Sequence, residues 1–293
     1  MKDTTLGDMG TLLIGYDVEW RGEGDVTPRF LEQVRSLHDR LGLPATLFVV
    51  GQTLERWVPQ FQAISGDPLF DIQQHTYSHQ LLKTVYIEDG RSVRVVRGVT
   101  LEETREEVRK TSALLAEHLG VQCTGLTGPW CYYRGLRDRP DILQVLREEG
   151  IRFTRTDGRN ERDWHPVSID LQPYWYDALG FPDVLEIPIH GWHDCVIRDE
   201  VLGWENVDGY VESVKPYIEQ AAAEDKVFSF CQHDWSSIRA DPQMCATDAL
   251  IRYAQDQGLH FMSYRAYHEA CRERREDAEI ATLRATAHPS PRP

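Results

Sequence analysis

The run Thr11-Leu12-Leu13-Ile14-Gly15-Tyr16-Asp17-Val18-Glu19 decides how this chain is read. A short apolar stretch rich in strand formers leads directly into two carboxylates. Residues two apart on a strand point to one face, so Asp17 and Glu19 are aimed together. Downstream, Thr27-Pro28 reads as a helix N-cap followed by proline at the first helical position. Phe30, Leu31, Val34, Leu37 and Leu41 then lay an apolar stripe over that helix. Residues 45–50 form a compact apolar run ended by Gly51, which suits a buried parallel strand. Strand, helix and buried strand in succession predict an α/β fold.

The alternation continues along the chain. A second helix is expected around residues 53–64, and residues 85–99, with Asp89-Gly90 between Val and Ile, read as a hairpin. Thr100 and Glu103 form a capping box that opens a helix running to about Leu119 and stopping at Gly120. Residues 123–130 are turn-rich, with glycines that allow close backbone approach. A helix over residues 140–149 and a strand over 151–154 follow. Residues 160–180 have no clear period and the composition of a functional loop. The remaining pattern is a strand at 184–188, a helix at about 207–223, a strand at 227–231, a helix at about 246–257 and a strand at 259–262. Seven or eight such alternations argue for a mainly parallel sheet, open or closed. After Arg272 the chain turns charged and then Pro-rich. Residues 1–272 are therefore expected to form one domain, and residues 273–293 a partly frayed tail.

Polar candidates recur just after strands: Asp17, Glu19, His75, His79, Pro129, His190 and His233. Strand C-terminal ends are where active sites of such barrels lie. In His75-Thr76-Tyr77-Ser78-His79, two imidazoles stand four residues apart. On a helix they would share a face and reach one cation. The surroundings, Gln74 before and Thr76 and Ser78 between, fit a strand-end loop better. A zinc site needs a third protein ligand, which the local sequence does not show.

Composition excludes other classes. Of the 293 residues 41% are hydrophobic and 10% aromatic, which is globular usage. Against 32 basic side chains stand 47 acidic ones, for a formal charge of −15. That field repels polyanions and no basic cluster offsets it, so nucleic acid is not an expected partner. No apolar window approaches membrane-spanning length, so no membrane association is expected. Acidic residues stand where a signal peptide needs a basic and then an apolar run, and the six Cys include no C-x-x-C pair. The protein is therefore expected to be cytoplasmic, with reduced thiols.

Taken in order, these stretches resemble the NodB-like polysaccharide deacetylase superfamily: carbohydrate esterase family 4 and its allantoinase-like and cyclic-imidase-like relatives. Residues 15–20 (GYDVEW) sit at its aspartate-rich first motif, and residues 43–52 (LPATLFVVGQ) at its second strand. Residues 73–79 (QQHTYSH) match its His-(Ser/Thr)-x-x-His motif. Residues 126–135 (LTGPWCYYRG) fall at its Arg-x-Pro turn, residues 184–194 (VLEIPIHGWHD) at a Glu-x-Pro strand and residues 227–235 (VFSFCQHDW) at the final His-bearing strand. The resemblance implies a deformed β/α barrel of seven or eight strands and a divalent metal, most simply Zn²⁺. It implies His75, His79 and Glu19 as ligands, with Asp17 as the alternative carboxylate. It also implies Asp17 as the general base toward the metal-activated water and His233 as the general acid. Pro129 and Trp130 join Glu186, His190 and Trp192 in the expected oxyanion- and substrate-binding set, the backbone N–H near Trp130 facing the oxyanion. Two departures stand out: Glu19 where most members have Asp, and Thr127 where the family has an Arg. Arg134 and Arg155 are the candidates to replace that Arg.

The function so implied is metal-dependent hydrolysis of a C–N amide bond, most simply N-deacetylation of a small molecule or soluble sugar conjugate. The alternatives are hydrolysis of a cyclic amide or ureide, and a non-catalytic binding protein on the same fold. Oligomeric state is not readable from the sequence.

Overall fold

The computed structural model describes residues 9–21, 24–88 and 93–287. The first unit is β1 (Thr11–Val18), α1 (Val26–Leu41) and β2 (Ala45–Val49). β1 is buried along its whole length, as a near-continuous apolar strand between layers of helices should be. α1 buries the expected stripe of Phe30, Leu31, Val34 and Leu37. It starts one residue before Thr27, whose hydroxyl donates to Asp234 at 2.5 Å instead of capping the helix. The expected second helix is split into α2 (Gly51–Arg56) and α3 (Val58–Gln62). Trp57 leaves the helical region there, with φ −128° and ψ 32°, and Pro59 withholds the N–H that would continue the ladder.

Next come β3 (Phe70–Gln74) and the antiparallel hairpin of β4 (Val85–Glu88) and β5 (Val93–Val96). The Asp89-Gly90 turn of that hairpin lies outside the described residues. α4 (Leu101–Leu119) opens on the expected capping box: Glu103 N–H donates to Thr100 Oγ1 at 3.2 Å, and Thr100 N–H to the Glu103 carboxylate at 2.8 Å. β6 (Gly125–Tyr133), α5 (Pro140–Glu148) and β7 (Phe153–Arg159) follow. The stretch read as turns thus lies largely in a strand. Its irregularity appears as a register shift between Thr127 and Tyr132, with Trp130 and Cys131 at φ 64° and 53°. A side chain at Gly125 would overlap the Phe153 ring, so β6 and β7 approach closely there.

The long irregular stretch contains β8 (Tyr174–Tyr176), which pairs antiparallel with β9 (Phe181–Glu186). The chain ends through α6 (Asp194–Ile197), α7 (Val207–Ala223), β10 (Val227–His233), α8 (Asp234–Ser237), α9 (Cys245–Asp256), β11 (His260–Met262) and α10 (Tyr264–Ala287). α10 corrects the expected tail. Residues 273–287 continue the helix, braced by i,i+4 pairs such as Arg272–Glu276 and by Arg275 against Asp177. Residues 288–293 lie outside the described residues.

The strands order as β10-β1-β2-β3-β6-β7-β9-β8, with β11 also on β1, and only β8 runs antiparallel. At the open side, His190 N–H donates to Ser229 O at 3.1 Å, and Ser229 N–H donates to His190 Nδ1 at 3.0 Å. These bonds draw the chain beyond β9 onto β10. Among the described residues no strand ladder closes the ring, so the barrel is a mostly parallel α/β sheet whose gap is bridged by single contacts. All six cysteines are free. No described helix is long and apolar enough to cross a membrane.

Candidate active site

The C-terminal ends of β1, β3 and β10 converge. Asp17 is the register partner of His233, and His75 N–H continues the β2 pairing by donating to Val49 O at 2.9 Å. Glu19 Oε2 lies 2.7 Å from His79 Nε2 and 3.9 Å from His75 Nε2. The other oxygen, Oε1, accepts from Trp235 Nε1 at 2.7 Å and Arg21 Nε at 3.2 Å. One carboxylate oxygen is thereby anchored while its twin faces two imidazoles. Burial pushes the Glu19 pKa up, but the hydrogen bond and charge of His79, with His233 and His75 behind it, hold the carboxyl well below its ordinary range.

His75 is buried, and its Nδ1 lies 2.9 Å from Thr127 O. That carbonyl assigns the proton to Nδ1 and leaves the Nε2 lone pair facing Glu19. Burial lowers the ring's pKa to about 4, which keeps it neutral. One ligand atom each from Glu19, His75 and His79 lies within 4.8 Å of the other two. Two imidazole nitrogens and one carboxylate oxygen, with the tautomer of His75 fixed by a backbone carbonyl, fit a zinc-like cation.

The two rings meet without a helix. Thr76 and His79 adopt left-handed backbone, φ 61° and 59°, which folds the loop so that the ring centroids stand 4.7 Å apart. The loop is held from two sides. Gly51 and Gln52 N–H donate to the carbonyls of Thr76 and Tyr77, each at 2.9 Å. From α4, Glu107 accepts from Tyr77 N at 2.9 Å, Ser78 N at 2.7 Å and Ser78 Oγ at 2.6 Å. A Cβ on Gly51 would stand 2.7 Å from the Tyr77 ring, so only glycine admits the loop.

Asp17 has a different environment. Its Oδ1 accepts from Arg155 Nη2, and Arg155 Nε donates to Thr127 Oγ1 at 3.0 Å. The guanidinium is fully buried, 4.3 Å over the Phe48 ring. Asp17 Oδ2 lies 3.9 Å from both His75 Nε2 and His233 Nε2. Of the two arginine candidates, Arg155 therefore reaches Asp17, from β7 rather than β6, while Arg134 is exposed. Thr127 supplies a hydroxyl to the guanidinium it was read as lacking.

His233 Nδ1 lies 2.6 Å from Asp194 Oδ1, and its backbone N–H donates to Asp194 Oδ2 at 3.2 Å. Burial works against a proton on this ring, but the sulfur of Cys195, the Asp194 carboxylate and the sulfur of Cys231 raise its pKa well above the ordinary value. Asp194 was not singled out in the sequence, although it follows His193 directly. Its only signal there is a carboxylate at the end of the stretch that begins with β9.

Other expected residues divide. Trp130 is 38% exposed, at the bulge of β6 beside Pro129, and its carbonyl accepts from Arg159 Nε at 3.0 Å. Trp192 is half-buried, its ring 5.9 Å from that of His165. Glu186 and His190 are not brought to the carboxylate–imidazole cluster. Glu186 accepts from Thr154 and Thr156 hydroxyls, Tyr176 OH and the N–H groups of Thr156 and Asp157. Those five donors occupy it as a tie between β7, β8 and β9. Both ring nitrogens of His190 are likewise used, by Leu171 O and Ser229 N–H.

A strand-end site of two histidines and a carboxylate, with an Asp–Arg pair and an Asp–His pair beside it, defines a hydrolase-type α/β protein. Residues 10–154 match the model of the polysaccharide deacetylase family, and over that first half the chain belongs to it. A protein from Mycobacterium smegmatis described as a polysaccharide deacetylase superposes with a TM-score of 0.67 at 16% identity, over 90% of this chain and 91% of that one. The PuuE allantoinase gives 0.63 at 17% identity over 89% and 90%. A CE4-family pseudoenzyme from Bacillus anthracis gives 0.56 at 11% identity over 89% and 66%. At these identities the likeness is one of fold. No curated protein matches the sequence significantly.

Proposed function

We propose that this chain is a metal-dependent deacetylase-type hydrolase of a C–N amide bond, acting on a small molecule or soluble sugar conjugate. The observation that carries the reading is the division of labour between the two carboxylates. Glu19 faces His75 and His79, whereas Asp17 is held by Arg155 through Oδ1, with Oδ2 3.7 Å from Cys231 Sγ and 3.9 Å from both His75 and His233. Glu19, His75 and His79 would hold a divalent cation, which would supply Lewis-acid polarisation of the acyl carbonyl and lower the pKa of a water. Asp17 Oδ2 takes the proton of the attacking water, its second oxygen being fixed by Arg155. His233 Nε2 delivers a proton to the leaving nitrogen, with Asp194 on Nδ1 setting its orientation and charge. Backbone N–H at the β6 bulge near Trp130 faces the developing oxyanion. Hydrolysis of a cyclic amide would use the same groups.

The test is direct. Stripping the protein with chelator should abolish hydrolysis of N-acetylated sugars and amides, Zn²⁺ or Co²⁺ should restore it, and Asp17→Asn should stay inactive while still taking up the one ion held by Glu19, His75 and His79. Full turnover in chelator would reject the mechanism. Ligand binding without turnover in the metal-loaded protein would move the chain to the non-catalytic class.

A further inference from the structure

A second donor set lies beside Asp17. One ligand atom each from His193, Cys231 and His233 lies within 4.8 Å of the other two. All three residues are buried, with His193 at 6%, Cys231 at 0% and His233 at 7% exposure. Cys231 Sγ is 3.7 Å and His233 Nε2 3.9 Å from Asp17 Oδ2. His193 Nε2 is buried and has no hydrogen-bond partner among the described residues. A buried imidazole nitrogen left unsatisfied is costly unless a ligand meets it. His233 Nδ1 is engaged by Asp194, so the nitrogen left for a ligand is Nε2. This is the carboxylate–histidine arrangement that orients metal-binding imidazoles. The neighbouring set of Asp194, Cys195 and His233 lacks this property, because its Asp194–His233 pair is already closed by a 2.6 Å hydrogen bond.

We propose that His193, Cys231 and His233, with Asp17 as a fourth donor, form a second cation site for a borderline-soft divalent ion, and that its occupation inhibits the enzyme. Two nitrogens, a thiolate and a carboxylate select Zn²⁺, Co²⁺ or Cd²⁺ over Mg²⁺ or Ca²⁺. Binding releases the Cys231 thiol proton, and any proton on His233 Nε2, to solvent. The inhibitory part rests on the reading of His233 as proton donor: a ring whose Nε2 is ligated has no proton to give. Asp17 Oδ2 would at the same time be engaged by the ion and lost as the base. The order of events is low-metal activation through Glu19, His75 and His79, then high-metal inhibition through the second set.

The experiment is a Co²⁺ titration of the metal-stripped full chain, read by absorption. A thiolate-to-cobalt charge-transfer band should appear, because the first set contains no sulfur. It should vanish in Cys231→Ser, weaken at least about tenfold in metal affinity in His193→Asn, and survive in His75→Ala. Absence of the band at any Co²⁺ excess overturns the site, as does its persistence in Cys231→Ser. In parallel, excess Zn²⁺ should inhibit the wild type, and the inhibitory concentration should rise about tenfold or more in His193→Asn. A band without inhibition would support the second site and overturn His233 as the proton donor. Loss of activity in His75→Ala with the band intact separates failure of the first site from failure of the second.

Discussion

Arg155 is the side chain on which the catalytic reading turns. It is fully buried, pairs with Asp17 and bonds Thr127, and its ring partner is Phe48. Lysine keeps the charge but lacks the planar fork that meets Asp17 and Thr127 together. Arg155→Lys should therefore lower kcat by about 10²-fold or more while the zinc content stays near that of the wild type. An unchanged kcat would show that Asp17 needs no fixed orientation. The sequence named Arg155 only as one of two candidates, and could not choose. The choice depends on strand order and register, Thr127 being opposite Arg155 across β6 and β7. Asp194 was missed for a similar reason. Its partner His233 is 39 residues away, so only the fold brings the two together.

At the level of elements, the histidine loop shows how a ligand pair is held by parts that are not ligands. Gly51 opens α2 and Glu107 sits on α4, yet both shape the turn that carries His75 and His79. Gly51→Ala should push Tyr77 aside, and Glu107→Gln should weaken the three bonds to the loop. Either change is expected to reduce metal affinity by about 10- to 100-fold with the far-ultraviolet circular dichroism preserved. Equal affinity in both variants would mean the loop keeps its shape without them. The spacing of the two histidines was legible in the sequence, as was their place at a strand end. The left-handed backbone at Thr76 and His79 was not, because a β-branched Thr rarely adopts it and the enrichment of His there is too small to place one. The α/β alternation was legible because buried strands and striped helices have different periods. The break at Trp57 and the helical course of residues 273–287 were missed, although Pro59 and the i,i+4 charge pairs are local signals of each.

Across the molecule, the sheet's far side carries a buried acidic pair that should be visible in stability. Burial, and the nearby Glu186 carboxylate, push the Asp157 pKa up to about 7. A carboxyl whose folded pKa lies above its unfolded value stabilises fully at low pH, and that contribution is lost as pH rises toward the folded pKa. The window here runs from about pH 4 to about pH 7. Asp157→Asn keeps a hydrogen-bonding group of the same shape and cannot ionise. Its melting temperature relative to the wild type should climb across that window and level off above it, by an amount equivalent to at most about 4 kcal/mol. A difference independent of pH would show that Asp157 titrates normally. Glu186 and His190 belong to this same scale. Both were expected as substrate contacts from the resemblance of residues 184–194 to a Glu-x-Pro strand, and both join strands, Glu186 at β7–β9 and His190 across the open side of the sheet.

The guanidinium that reaches Asp17 from β7 also makes positions 127 and 155 one unit. Thr127 accepts from Arg155 through its hydroxyl while Arg155 pairs with Asp17, so an arginine placed at 127 would have to enter space that Arg155 already occupies. The two positions are coupled, and the effect of changing one is expected to depend on what stands at the other.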